Sequence, residues 1–302
     1  MTEPRRRAPR RKVNGVLLLD KPTGLTSNSA LQRAKRLFEA EKAGHTGTLD
    51  PFASGLLPIC LGEATKFSQF LLDADKAYRA EIRLGVRTTT ADPEGEVIET
   101  RPVAVTLEQV HEVLPRFLGE IMQVPPMHSA LKRDGRPLYE LARQGIEVER
   151  APRAVRVYQI GVELLAGDVL TVVVHCGKGL YVRTLAEDIG AALGCGAYLQ
   201  ALRRLAVGPF RLDEAVGLAE LEALDLAERD ARLKPETILV ADLPRMDLDV
   251  DAAWQLCHGQ AIWRPGLGVA QRFALFDPAG RFLGVAEVND DGKLAPRRLL
   301  AS

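Results

Sequence analysis

The residues with the most chemistry per unit length lie between Gly44 and Pro51, in the run GHTGTLDP. This stretch places an imidazole (His45), two threonine hydroxyls (Thr46, Thr48) and a carboxylate (Asp50) close together. Gly44 and Gly47 permit tight turns and the close approach of another molecule's backbone. Pro51 biases Asp50 toward an extended or turn conformation and ends any helix there. No periodicity fits, so the stretch is expected to be a loop. The competing expectation is an Asx turn, with Asp50 bonded to its own backbone.

Other chemistries find little support. Cys60, Cys176, Cys195 and Cys257 are scattered without a CxxC pair, and the five histidines show no ligand spacing. This pattern argues against a zinc site or a disulfide framework and for a reducing compartment. The chain also lacks a dinucleotide fingerprint and a phosphate-loop lysine motif.

The elements that must position the loop can be read around it. Gly15–Leu19 (GVLLL) and Gly55–Leu61 (GLLPICL) are continuous apolar runs, expected as buried strands. A helix capped by Ser27 or Ser29 should reach Ala40, and another should span Glu63–Leu72. Ala77–Leu84 alternates as a strand, and Asp92-Pro93-Glu94-Gly95 reads as a turn. Thr106 and Gln109 form a capping box for a helix reaching Phe117. Val155–Leu165 and Val169–Cys176 should pair about Ala166-Gly167-Asp168. A helix over Leu180–Leu193 carries Tyr181 and Arg183 in its first turn, and Ala206–Phe210 reads as a short strand. Leu218–Arg229 should form one acidic surface helix. The mixture of hairpins and helices predicts an α+β domain.

Hydrophobic residues make up 46% of the 302 and charged residues 26%, an ordinary globular composition. The 40 basic and 40 acidic residues cancel, but unevenly. Residues 1–13 form a basic tail expected to be disordered. Asp213–Asp251 is acidic. Residues 125–153 are interrupted by Pro125, Pro126, Gly135 and Pro137, and seven basic residues fall between Lys132 and Arg156. A long irregular basic segment of this kind is expected to touch a polyanion. Residues 14–249 should form the main domain, and 250–302 a small β-rich module. The absence of a membrane-length apolar run and of a secretory leader predicts a cytoplasmic protein.

Four separated motifs then resemble one family, the bacterial tRNA pseudouridine-55 synthases of the TruB type. They are GVLLLDKPTGLTS (15–27), AGHTGTLDPFASGLLPICLGEATK (43–66), KAYRAEIRLG (76–85) and HCGKGLYVRTLAEDIG (175–190). The segment PPMHSALKRDGRPLYELARQGIEV (125–148) resembles that family's RNA-gripping insertion, and the last fifty residues resemble its PUA-type module. The resemblance implies a pseudouridine synthase fold, a mainly antiparallel mixed sheet flanked by helices. It also implies isomerisation of one uridine in the TΨC loop of tRNA, without cofactor or metal, by a monomer.

By the same resemblance, Asp50 is the catalytic aspartate, which attacks the sugar or the base or removes a sugar proton. Arg183 is its charge partner. Tyr78 stacks on the target base and is also a candidate proton acceptor. His45 fills the space left by the flipped nucleotide. Lys21 either holds phosphate or orders the aspartate loop. Tyr181 and Leu202 are pocket walls or core, and Lys132 and Arg143 contact RNA. Two alternatives accompany this expectation: a non-catalytic tRNA-binding or tRNA-folding protein, and an enzyme of a guide-RNA particle acting on ribosomal RNA.

Overall fold

The computed structural model describes residues 10–129, 131–133 and 135–300. The first unit is β1 (Gly15–Lys21), α1 (Ser27–Leu37), β2 (Ala43–His45) and β3 (Ser54–Leu61). β1 and β3 pair antiparallel and are buried on both faces, which is why they read as unbroken apolar runs. α1 is capped by Thr26, not by Ser27 or Ser29, because the Thr26 hydroxyl accepts from the Ser29 N–H at 3.0 Å. Ser27 is thereby free for another task. The expected helix at 63–72 divides into a 3₁₀ turn (Gly62–Phe67) and α2 (Ser68–Asp73).

β4 (Lys76–Leu84) leads into a hairpin of β5 (Val86–Thr88) and β6 (Val97–Thr100). α3 (Leu107–Val113) carries the expected Thr106–Gln109 capping box and precedes β7 (Gly119–Gln123). The insertion contains β8 (Lys132–Arg133), β9 (Arg136–Pro137) and α4 (Leu138–Arg143). β10 (Arg153–Ala166) and β11 (Val169–Cys176) form the expected pair, and α5 (Val182–Ala192) follows.

β12 (Ala197–Val207) is the main departure, since a strand was expected only from Ala206. It lies at the centre of a ten-stranded mixed sheet, antiparallel to β4 and parallel to β3. The register shift at Leu199/Ala201 switches the buried side chains from odd residues (Ala197, Leu199) to even ones (Leu202, Arg204), and a second shift follows at Arg204/Ala206. Such shifts erase the period-2 signal on which strand recognition depends.

After β13 (Phe210–Arg211) and β14 (Val216–Gly217), the acidic stretch forms two helices, α6 (Leu218–Ala223) and α7 (Leu226–Ala231). They are separate because Asp225 caps the second in a reciprocal box with Glu228. β15 (Arg245–Asp247), α8 (Val250–Cys257), β16 (Ile262–Trp263), β17 (Arg272–Phe276), β18 (Phe282–Val288) and β19 (Lys293–Leu299) complete the chain. Five of these are strands of a second sheet, which begins at Arg245, ahead of the expected boundary at 250.

Leu17, Leu19, Leu57 and Ile59 pack one face of the β1–β3 pair against α1 and α6. Val16, Leu18, Leu56 and Cys60 pack the other face against Phe67, Ala274 and Val285, so the C-terminal sheet shares a core with the main domain. Lys66 Nζ also donates to the Leu299 carbonyl at 2.9 Å. The described part of the tail is ordered: Val13 is buried, and Arg11 bonds Asp230 and the Phe38 carbonyl. Among the described residues, no helix is long and apolar enough to cross a membrane.

Candidate active site

The GHTGTLDP stretch begins as strand, with β2 carrying His45 against Ile59 of β3. Beyond His45 it bends, and it is pinned at four points. The Thr46 N–H donates to the Pro58 carbonyl at 3.2 Å, and the Gly24 N–H to the Pro51 carbonyl at 2.8 Å. Ser27 is buried; its hydroxyl donates to the Leu49 carbonyl at 2.9 Å and accepts from the Leu49 N–H at 2.7 Å. The fourth is the Arg204 guanidinium, which donates to the Gly47 carbonyl at 3.3 Å. Gly47 has φ +117°, a conformation L side chains rarely adopt, so its glycine is demanded by the turn itself. Gly44 has negative φ and would meet only Thr65, at an ordinary 3.8 Å, if given a Cβ.

This anchoring presents Asp50 at the site's mouth, its side chain 34% exposed. The carboxylate faces Arg183 across 3.1 Å from Nε. Burial pushes the Asp50 carboxyl above its ordinary range, and Arg183 opposes that shift. Arg183 stands in the first turn of α5, in agreement with the expected pairing.

The sequence did not reveal how Arg183 is held. Its Nη1 bonds Asp92 at 2.9 Å, its Nη2 donates to the His128 carbonyl at 2.6 Å, and its Nη1 also reaches the Thr90 carbonyl at 3.4 Å. Asp92 was read only as part of a turn, and it does form one, accepting from the Glu94 N–H at 3.0 Å. Its other oxygen belongs to the site. The side chain is only 3% exposed, so it is a sealed second carboxylate. Ala91 beside it sits at φ 58°, a left-handed conformation costing on the order of 1–2 kcal/mol for a residue with a Cβ.

Tyr78 lies on β4 opposite Arg204 of β12, close enough for the guanidinium's charge to act on its phenol. Burial raises the phenol's pKa, and the Arg204 charge opposes the rise. Arg204, absent from the sequence expectations, is 1% exposed. Lys21 has no exposed surface and spends its ammonium on the carbonyls of Pro22 (2.9 Å) and Leu25 (2.7 Å). That geometry makes Lys21 the clamp of the DKPTG turn. Burial, then the Arg204 charge, lowers its pKa to about 8.

His45 has a buried Nδ1 with no partner among the described residues, and burial lowers its pKa. Leu202 is in the core with Leu49 and Val182, and Tyr78 packs against the same cluster. Tyr181 caps α5, and its backbone bonds the Gln123 side chain. The side chains of Lys132 and Arg143 lie outside the described residues. Burial pushes the Cys60 and Cys176 thiols up to about 12, so neither is a nucleophile at neutral pH. Among the described residues no cluster of metal-ligating side chains occurs.

Residues 35–182 match the family described as "TruB family pseudouridylate synthase (N terminal domain)". Residues 183–245 match "tRNA pseudouridylate synthase B C-terminal domain", and residues 244–300 match "Pseudouridine synthase II TruB, C-terminal". Proteins named tRNA pseudouridine synthase B from Dechloromonas aromatica and Methylobacillus flagellatus are 57% and 53% identical, each over 96% of both chains. This chain belongs to the TruB family. The same fold occurs in a Cbf5-Nop10-Gar1 complex, at a TM-score of 0.72 and 27% identity, covering 95% of this chain and 84% of that one. A structure of an H/ACA RNP bound to a substrate RNA gives a TM-score of 0.71 at 25% identity, covering 95% of this chain and 85% of that one. The pseudouridine synthase fold is thereby established for the TruB chain, with its β-rich C-terminal part.

Proposed function

We propose that this protein converts the uridine at position 55 of the tRNA TΨC loop to pseudouridine, acting on a flipped-out nucleotide. The N1–C1′ bond breaks, the base turns, and C5 bonds C1′. C5 then gives up its proton and N1 gains one, so the product is an isomer. The observation that carries this reading is the asymmetry of the two carboxylates on Arg183. Asp50 faces the opening, whereas Asp92 is sealed behind the guanidinium. A glycoside hydrolase needs two carboxyls flanking the bond, one of them to activate water. A single reachable carboxylate suits bond cleavage in which both halves stay bound.

Asp50 is the catalytic group, and Arg183 favours its ionised form against desolvation. Tyr78 supports the base with its ring and turns its hydroxyl toward Arg204. His45, half-buried with an unspent ring nitrogen, fills the gap left by extrusion, recovering part of a cost of a few kcal/mol. Residues 125–153, including Lys132 and Arg143, the basic tail and the PUA-like module grip RNA phosphates around a monomeric, cytoplasmic, cofactor-free enzyme.

Release of tritium from tRNA carrying 5-³H-uridine tests the reading. Wild type should release tritium from a T-arm stem-loop without any guide RNA, and Asp50→Asn should not. Tight binding without release would favour a tRNA-binding protein, and a requirement for guide RNA would favour the particle enzyme. The full-length similarity to proteins named tRNA pseudouridine synthase B favours the guide-free outcome.

A further inference from the structure

A buried charge is expensive unless it is paired, and Arg204 is paired with no acid. Among the described residues no ion pair includes it, and its charged form is held against burial by two backbone carbonyls and the nearby Tyr78. Its neighbours aggravate the cost, because Lys21, His45 and Lys76 all feel its positive field. What the guanidinium does make is bonds to two different elements, with a third element set directly beside it. Nε donates to the Leu56 carbonyl of β3 at 2.6 Å, and Nη2 to the Gly47 carbonyl of the aspartate loop at 3.3 Å. The third element is β4, where Tyr78 pairs opposite Arg204 and its phenol feels the guanidinium's charge.

The chain around it is shaped to admit this arrangement. A Cβ on Gly55 would lie 2.4 Å from the Arg204 carbonyl oxygen and 2.6 Å from its nitrogen. Only glycine lets β3 approach β12 that closely. A Cβ on Gly47 would stand 3.6 Å from Nη1, against the head group itself. The planar fork of arginine can hold its acceptors in a fixed relation, which a lysine ammonium on a flexible stem cannot.

We propose that Arg204 is a positioning residue of the isomerisation, locking the Tyr78 hydroxyl to the loop that carries His45 and Asp50. Through one rigid head group, the platform under the base and the groups that extrude and cleave it keep a common frame. This inference rests on the functional reading above, and it adds a residue that does not touch RNA.

The test is a double-mutant cycle on the full-length enzyme with a T-arm stem-loop. Arg204→Lys keeps the charge but loses the fork. It should lower kcat about 100-fold, the scale of a misplaced catalytic group, and leave KM within about threefold. In a Tyr78→Phe background the same change should cost less than about threefold further, because the hydroxyl it positions is gone. Arg204→Gln, which keeps a donor without the charge, is the second variant and should show the same loss of additivity. Full kcat in a folded Arg204→Lys would overturn the proposal. So would losses that multiply in the Tyr78→Phe background, or failure of both variants to fold, each of which marks a merely structural arginine. Tyr78→Phe at the wild-type rate would overturn the proposal as well, whereas Asp50→Asn still active would sink the underlying site reading instead.

Discussion

Two buried arginines flank the site, and they solve the same electrostatic problem in opposite ways. Arg183, 5% exposed at the start of α5, meets two carboxylates and two carbonyls. Arg204, 1% exposed in the middle of the sheet, meets carbonyls and a phenol. The first arrangement sets an exposed carboxylate, Asp50, against a guanidinium already balanced by the sealed Asp92. The second holds no anion and arranges backbone. Breaking the first should therefore strike charge and stability together, whereas breaking the second should strike geometry.

The largest expected effect is on Asp50 itself. Asp50→Asn should cut turnover on the order of 10⁴-fold or more, as removal of a principal catalytic group does. Single-turnover tritium release measures it, and residual activity near wild type would remove Asp50 from the chemistry. Next is Arg183→Ala, which leaves Asp92 buried without its cation. Chemical denaturation should show a loss of about 3–5 kcal/mol, together with lost activity. A wild-type melting temperature with wild-type turnover would mean that the Arg183 cluster is not an electrostatic unit.

Tyr78→Phe tests the other side of the comparison. It should keep RNA binding and slow turnover about 100-fold, the lower range for a lost proton-transfer or orienting group. An unchanged rate would leave only the ring's stacking role. The smallest effect is a pH slope in stability. Burial raises the Asp50 carboxyl above its reference value of 3.8, so the folded state keeps a proton that the unfolded chain has already lost. Wild-type stability should then fall, relative to Asp50→Asn, as pH rises from 3.8 through the raised value. With the side chain a third exposed, about 1 kcal/mol or less is expected. A slope of the opposite sign would show that Arg183 outweighs desolvation.

Much of this was legible before the structure, for identifiable reasons. β1 and β3 announce themselves because strands buried on both faces must be apolar throughout. The pairing of β10 with β11 follows from alternation about a turn. Asp50, Arg183 and Tyr78 came from long motifs, not from local chemistry, and the geometry brings the first two into contact. Asp92 was hidden because a DPEG turn explains an aspartate completely on its own. Arg204 was hidden because a bulged strand loses its period, and an inward arginine looks like an outward one.

The sequence alone therefore determined the α+β class, the strand-forming runs, the aspartate loop and the family it resembles. These are local or motif-borne properties, written in hydrophobic order and in residues a few positions apart. Tertiary structure alone decided which side of Arg183 is open, that Lys21 bonds the carbonyls of its own turn, and that Arg204 bonds the aspartate loop while lying opposite Tyr78. Each depends on burial and on contacts across the sheet, and a pairing across β4, β12 and β3 leaves no trace in the spacing of any one segment.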